Sequence, residues 1–237
     1  MTRLSPEAPV PVFNPRREVQ NDGMAKNVAN NVEALETNIF TITNPNNIKK
    51  IRYVDHKSNQ MVLRVDEHDY CDRIDNVLLS TIQNNKCHIP MNDLVDVDAI
   101  IVSDYCKGFL HEDDIKWICD NNENVFVDTK KKLGDWIDNV TYLKINSLEY
   151  KNNEKFLNEY YAIMDKTIVT KGNEGCLFKG KIYSTDDVEV KDISGAGDTF
   201  LAGLVVEYLK SKDIVTSIAF AQECTTKVVQ KHGVSTV

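Results

Sequence analysis

Apolar positions follow two different rhythms along this chain. Through about Val19 the sequence is rich in proline and shows no helical spacing, which predicts an extended strand or lid edge. Gly23 to Leu35 places Met24, Val28, Val32 and Leu35 on one face and reads as a helix. Asn38 to Thr43 reads as a strand and Asn44-Pro45-Asn46-Asn47 as a turn. Residues 50–56 and 60–66, separated by Lys57-Ser58-Asn59, read as a β-hairpin. Beyond that, short apolar runs alternate with polar, periodic stretches. Ala99–Val102, Asn124–Val127, Thr141–Ile145 and Thr167–Thr170 predict four strands, with a helix beginning near Glu112. Cys176–Phe178 and Lys181–Tyr183, around Lys179-Gly180, predict an antiparallel hairpin at the sheet edge. The alternation predicts an α/β fold whose mainly parallel sheet carries helices on both faces.

Composition narrows the class without changing this outline. A chain of 237 residues with 42% hydrophobic and 27% charged positions can bury one substantial core as a globular protein. The net charge of −8 argues against a nucleic-acid surface, which needs clustered Lys and Arg. No apolar run approaches the roughly 20 residues of a membrane span, and no signal-peptide pattern opens the chain, so a cytoplasmic protein without a membrane partner is expected. The six cysteines, at 71, 87, 106, 119, 176 and 224, form no C-x-x-C pair and read as buried free thiols. His88, His111 and His232 have no metal-ligand spacing, which leaves them surface or capping roles.

Parallel α/β sheets bind ligands beyond the carboxyl ends of their strands. There the chain offers Asp104 and Lys107, Asp128 and Lys130, Asn146 and Glu149, and Thr170, Lys171 and Gly172 after four successive strands. The most specific segment is Asp192-Ile193-Ser194-Gly195-Ala196-Gly197-Asp198-Thr199-Phe200. Its glycines precede a helix marked by Phe200, Leu201, Leu204, Val205, Tyr208 and Leu209. Tight backbone, unsatisfied N–H groups and the positive end of a helix dipole suit a phosphate. A carboxylate beside that phosphate is repelled, so Asp198 reads as a base for an attacking hydroxyl, with simple helix capping as the plain alternative.

This segment resembles the second signature, D-T-x-G-A-G-D, of the ribokinase-like (PfkB) carbohydrate kinases. Ser5-Pro6-Glu7-Ala8-Pro9-Val10-Pro11-Val12, Val102-Ser103-Asp104-Tyr105-Cys106-Lys107-Gly108 and Lys231-His232-Gly233-Val234-Ser235-Thr236-Val237 resemble the heptose-7-phosphate kinase branch, the kinase half of bifunctional enzymes that build activated heptose for lipopolysaccharide. The resemblance implies a ribokinase-like three-layer fold, one carbohydrate kinase domain over residues 1–237, and a small β-lid from about 1–19 and 49–66. It implies ATP and magnesium as cofactors, with Asn146 and Glu149 (an N-x-x-E motif, or otherwise an ordinary helix cap) arranging the magnesium through water. It implies nucleotide contacts from Thr170, Gly172 and Gly175, where a plain turn is the competing reading. Asp198 becomes the catalytic base, with the Gly195, Ala196 and Gly197 amides as anion hole. Asp128-Thr129-Lys130 resembles the branch's D-P-K segment. Gly23, Asn27, Arg64, Asp104 and Lys107 become sugar-phosphate contacts, a monovalent cation such as K+ is implied near Asp192, and the lid implies a homodimer.

The chain also departs from that pattern. Asp22 and Lys26 stand where the first signature has Gly and Ala. The strand usually preceding the Ser5–Pro9 segment, and the helix and strand usually following Thr43, have no counterpart. The leading expectation is therefore ATP-dependent phosphorylation of a sugar or sugar phosphate, most like heptose 7-phosphate. The alternative is a catalytically weak nucleotide-binding protein with an incomplete sugar site.

Overall fold

The computed structural model describes residues 4–45, 48–58, 60–88 and 94–237. Asn46, Asn47 and Asn59, parts of the expected turns, lie outside the described residues, as does the first part of the expected lid at residues 1–3. The chain forms two compact units, one from residues 1–21 and 45–71 and the other from 22–44 and 72–237.

The smaller unit is built on an antiparallel hairpin, β1 (Lys49–Val54) and β2 (Met61–Glu67). Phe13 stacks on Tyr53 with ring centroids 5.7 Å apart. Arg64 lies opposite Arg52 and forms a bidentate pair with Asp66, at 2.7 and 2.6 Å. That pairing relieves the like-charge opposition across the strands.

In the larger unit, α1 (Met24–Ala34) starts after Gly23 as the spacing predicts. Asn38 to Thr43 forms no regular element and has no ladder partner among the described residues, which corrects the expected strand. Its Ile39 and Ile42 instead pack singly against the two core clusters described below. A short α2 (Asn76–Ser80) precedes a small antiparallel sheet of β3 (Ile82–Gln83), β4 (Lys86–His88) and β5 (Leu94–Asp96). Strands of two or three residues are too short to show a period, and the hydropathy pattern did not reveal them.

The main sheet follows. Parallel strands β6 (Ile100–Asp104), β7 (Val125–Thr129), β8 (Tyr142–Asn146) and β9 (Thr167–Thr170) continue into antiparallel β10 (Cys176–Phe178) and β11 (Lys181–Tyr183), in spatial order from β6 to β11. Helices α3 (Glu112–Asn121), α4 (Ser147–Glu159) and α5 (Tyr161–Met164) connect the first strands, and α6 (Ala196–Ser211) and α7 (Ile214–Val229) close the chain.

Successive strand residues face opposite sides, and the two cores follow that alternation. Val125, Val127, Leu143 and Ile145 pack with Ile115, Ile118 and Leu157 of α3 and α4. Phe126 and Ile168 pack with Val28, Leu201, Leu204 and Ile218 of α1, α6 and α7. Strands buried on both faces need apolar residues at every position, which is why these segments read as continuous apolar runs rather than alternating ones. The result is a helix–sheet–helix sandwich.

Candidate active site

The strand parity that builds the cores also selects the groups facing α6. Asp128 shares the side of Phe126, and Lys144 the side of Tyr142. The two are direct neighbours in register, and their side chains meet at 2.7 Å in a buried ion pair. Burial works against the Lys144 ammonium, but Asp128, followed by Asp198 and Glu149, outweighs it and holds the group above the ordinary lysine value. A Cβ on Gly197 would lie 2.9 Å from Lys144 Nζ. The ammonium therefore sits against the first turn of α6, and the missing side chain at 197 leaves it that room.

The start of α6 is set by Gly195, which is left-handed at φ 82° and carries no capping side chain. A Cβ there would lie 2.7 Å from Asn27 Nδ2, so both conformation and space call for glycine. The Ala196 amide donates to Ile193 O at 3.2 Å, so Ala196 lines the loop without offering the free donor expected of it. Among the described residues, the Gly195, Gly197 and Asp198 amides have no protein acceptor. They are the donors left for an anion, and Asp198 supplies one that the sequence reading assigned to Ala196.

Asp198 is third in the helix rather than its cap, and is only 4% exposed. Its carboxylate accepts from Asn27 Nδ2 at 2.8 Å and from the Tyr105 hydroxyl at 2.7 Å. Burial pushes the Asp198 carboxyl above the usual carboxylate range, against the two hydrogen bonds and the Lys144 charge. A buried carboxylate with a raised pKa beside free helix amides has the properties of a general base. Asn27, expected at the sugar, donates to Asp198, and its neighbour Asn31 accepts from the Thr199 hydroxyl at 3.2 Å. Gly23 precedes α1, and a Cβ there would meet nothing within 4 Å.

Asp104, expected at the sugar, is held by partners within the protein. It shares strand parity with Val102 and so faces the α3 side, away from Asp198. It is buried and accepts from Thr129 Oγ1 at 2.8 Å, Cys106 N at 3.1 Å and the Lys131 ammonium at 3.3 Å. These partners tie the loops after β6 and β7 together. Lys107 is half-buried in the same loop, while Arg64 belongs to the smaller unit. Cys106 is exposed, whereas the other five cysteines are buried, as expected for them.

Asn146 and Glu149 form a reciprocal capping box at the start of α4. Asn146 Oδ1 accepts from the Leu148 and Glu149 amides, and Glu149 Oε2 accepts from Asn146 N at 2.8 Å. Burial raises the Glu149 pKa, partly offset by that backbone bond. No group of three or more His, Cys, Asp or Glu side chains among the described residues could enclose a metal. The half-buried Glu149 fits magnesium only in the manner usual for that ion, with waters and phosphate oxygens supplying the remaining ligands.

Thr170 ends β9 beside Asn146 and donates to Ile145 O at 3.3 Å. Gly172 is left-handed at φ 63° with open space around it. Gly175, at φ 89°, is packed so that a Cβ would overlap the Tyr183 carbonyl and crowd Gln222. Its glycine is explained by packing against β11 and α7. Asp192 accepts from Ser194 N at 2.8 Å and Gly233 N at 3.1 Å, fastening the loop before α6 to the C-terminal segment. One bond reaches each oxygen, Oδ1 from Ser194 N and Oδ2 from Gly233 N. Lys144 and Tyr105 are the groups the sequence reading left without a role. The signal for Lys144 was a charge inside the apolar run Tyr142-Leu143-Lys144-Ile145, which in a central strand demands a buried partner.

Comparison with known proteins agrees with this geometry. The bifunctional protein HldE of Helicobacter pylori strain J99 is 27% identical over 279 aligned positions, covering 98% of this chain and 59% of the relative. HldE of Nitratiruptor sp. is 27% identical over 99% of the chain and 58% of its own length. The chain thus spans well under two thirds of these relatives, and the longer alignment shows that they carry residues with no counterpart here. Among solved structures, Thermotoga maritima ribokinase superposes with a TM-score of 0.59 at 18% identity, over 87% of this chain and 71% of that one. The Methanocaldococcus jannaschii nucleoside kinase of the ribokinase family gives 0.55 at 18% identity, over 87% and 70%. The family model described as pfkB family carbohydrate kinase matches residues 48–237. With four fifths of its length matched and the signature loop folded around a buried Asp198, this chain belongs to the pfkB family of carbohydrate kinases.

Proposed function

We propose that the chain transfers the terminal phosphoryl group of ATP to the anomeric hydroxyl of a sugar phosphate, most like heptose 7-phosphate. The observation that carries this reading is the buried Asp198 carboxylate at the start of α6, beside free amides and the Lys144 ammonium. Asp198 takes the hydroxyl proton as the oxygen attacks phosphorus and the bond to the leaving ADP oxygen breaks. The Gly195, Gly197 and Asp198 amides and Lys144 meet the charge on the transferring group, where fixed donors are worth far more than in water. Magnesium, when bound, neutralises phosphate charge. Glu149 would hold it through water, and Thr170 and Gly172 border the same strand ends.

The heptose assignment rests on the sequence resemblance and on the HldE relatives. It places the reaction in the building of activated heptose, with a homodimer formed through the lid as the expected assembly. No described helix is long and apolar enough to cross a membrane. One observation favours a second reading, a nucleotide-binding protein with weak turnover: the HldE alignment contains positions this chain lacks. A coupled ADP-release assay with heptose 7-phosphate, ribose, fructose 6-phosphate and no sugar separates the two. Sugar-dependent release strongest with heptose 7-phosphate supports the kinase. ATP binding by calorimetry without release from any sugar supports the second reading.

A further inference from the structure

Three distant segments converge on one carboxylate. Asn27 comes from α1, Tyr105 from the loop after β6, and Asp198 from the first turn of α6. One hydrogen bond reaches each carboxylate oxygen: Asn27 Nδ2 donates to Oδ2 at 2.8 Å and Tyr105 to Oδ1 at 2.7 Å. An ionised carboxylate has about four lone-pair sites, so each oxygen keeps capacity to accept a substrate proton. Two donors fixed from different elements also set the rotation of the carboxylate plane.

The phenol itself is held on both counts. Its ring lies under the Lys130 ammonium, 4.1 Å from the centroid. Burial and the adjacent Asp198 raise the Tyr105 pKa far above the ordinary value, so the phenol keeps its proton and remains a donor. It cannot serve as the base. Tyr105 was legible in the sequence only as one letter of a motif, between the Asp and Lys to which roles were given.

We propose that Tyr105 is a positioning residue for phosphoryl transfer: its hydroxyl fixes the orientation of the Asp198 carboxylate and stabilises its ionised form. This rests on the kinase reading above. The charged and polar groups around Asp198 are Asn27 from α1, Tyr105, Asp128 from β7 and Lys144 from β8, with Glu149 of α4 acting on Tyr105 and Lys144. Removing the phenol donor takes away a bond made to the charged form, so the Asp198 pKa rises further. The ionised fraction is then lost at a higher pH on the acid side.

The test is the pH profile of kcat and KM for wild type and Tyr105→Phe, with magnesium-ATP affinity measured by calorimetry. The variant is expected to lose on the order of tenfold in kcat near neutrality, a part of what the whole base supplies. ATP affinity stays within about twofold, because no phosphate contact is removed. The acid limb moves to higher pH, so the ratio of wild-type to variant rate grows as pH falls. In an Asp198→Asn background, Tyr105→Phe is expected to cost little more, since residues acting as a unit are not additive. If Tyr105→Phe melts early, 3-fluorotyrosine at 105 provides the opposite perturbation. It keeps the ring, strengthens the donor and should move the acid limb to lower pH. A rate loss equal at all pH values, an unchanged acid limb with either replacement, or full additivity with Asp198→Asn would overturn the role of Tyr105. Absence of any ATP-dependent turnover in wild type would overturn the kinase reading itself.

Discussion

Replacing Lys144 by Met removes the cation of the buried pair while keeping a long unbranched side chain. Asp128, 7% exposed, is left without its 2.7 Å partner beneath α6. Breaking a buried pair from one side typically costs about 3–5 kcal/mol, because the remaining charge is uncompensated. For a chain of this size each kcal/mol lowers Tm by roughly 2–4 °C, so a drop on the order of 6–20 °C is expected. Adding Asp128→Leu removes the stranded charge, and most of that loss should return, since apolar replacement of a buried pair is often near neutral. Turnover should not return with it. Losing one preorganised donor at a transferring group typically costs about 10²–10³ in kcat, and the double variant still lacks the ammonium. Differential scanning calorimetry and the coupled ADP assay on the three proteins separate these effects. A double variant that regained both stability and kcat would show Lys144 to be purely structural. A single variant as stable as wild type would refute the pair's burial.

Three other substitutions bear on the same site. Asp198→Asn should leave the fold and ATP affinity near wild type while cutting kcat by about 10²–10⁴, checked by circular dichroism, calorimetry and steady-state kinetics. Gly197→Ala should weaken ATP binding and lower Tm together, because its Cβ would lie 2.9 Å from a Lys144 ammonium that Asp128 pins in place. Gly175→Ala should lower Tm alone, through its positive φ and its collision with the Tyr183 carbonyl, while ATP affinity holds. Tm and calorimetric ATP affinity measured together on both glycine variants check this pairing.

What could be read beforehand depended on whether local pattern or distant contact decided the outcome. Thr167-Ile168-Val169-Thr170 was legible as a strand to the residue because β-branched residues fill it between clear breaks. The α6 start was legible because its two glycines, the acid and the helical spacing all lie within one short segment. Asn38 to Thr43 has strand composition, but a strand also needs a neighbour, and no local pattern supplies one. Asp104 and Asp128 both stood out as acids at strand ends. Parity then sends Asp104 to Thr129 and Lys131, and Asp128 to Lys144, a distinction visible only once the exact register is known. At Gly175 a turn closed by a packed neighbour and one opened for a phosphate use the same residue, so the segment alone does not separate the two.

The alternation in β7 has a consequence for how this protein can change over time. Val125 and Val127 face one core, while Phe126 and Asp128 face the other, so packing and chemistry are written in the same two-residue phase. A single-residue insertion or deletion inside this strand would exchange the Phe and Val faces and carry the carboxylate of Lys144's partner to the wrong side of the sheet. Length variation among descendants is therefore confined to the connections, and drift in β7 must proceed by substitution. A lineage that relaxed catalysis would still keep the phase, because the two cores demand it.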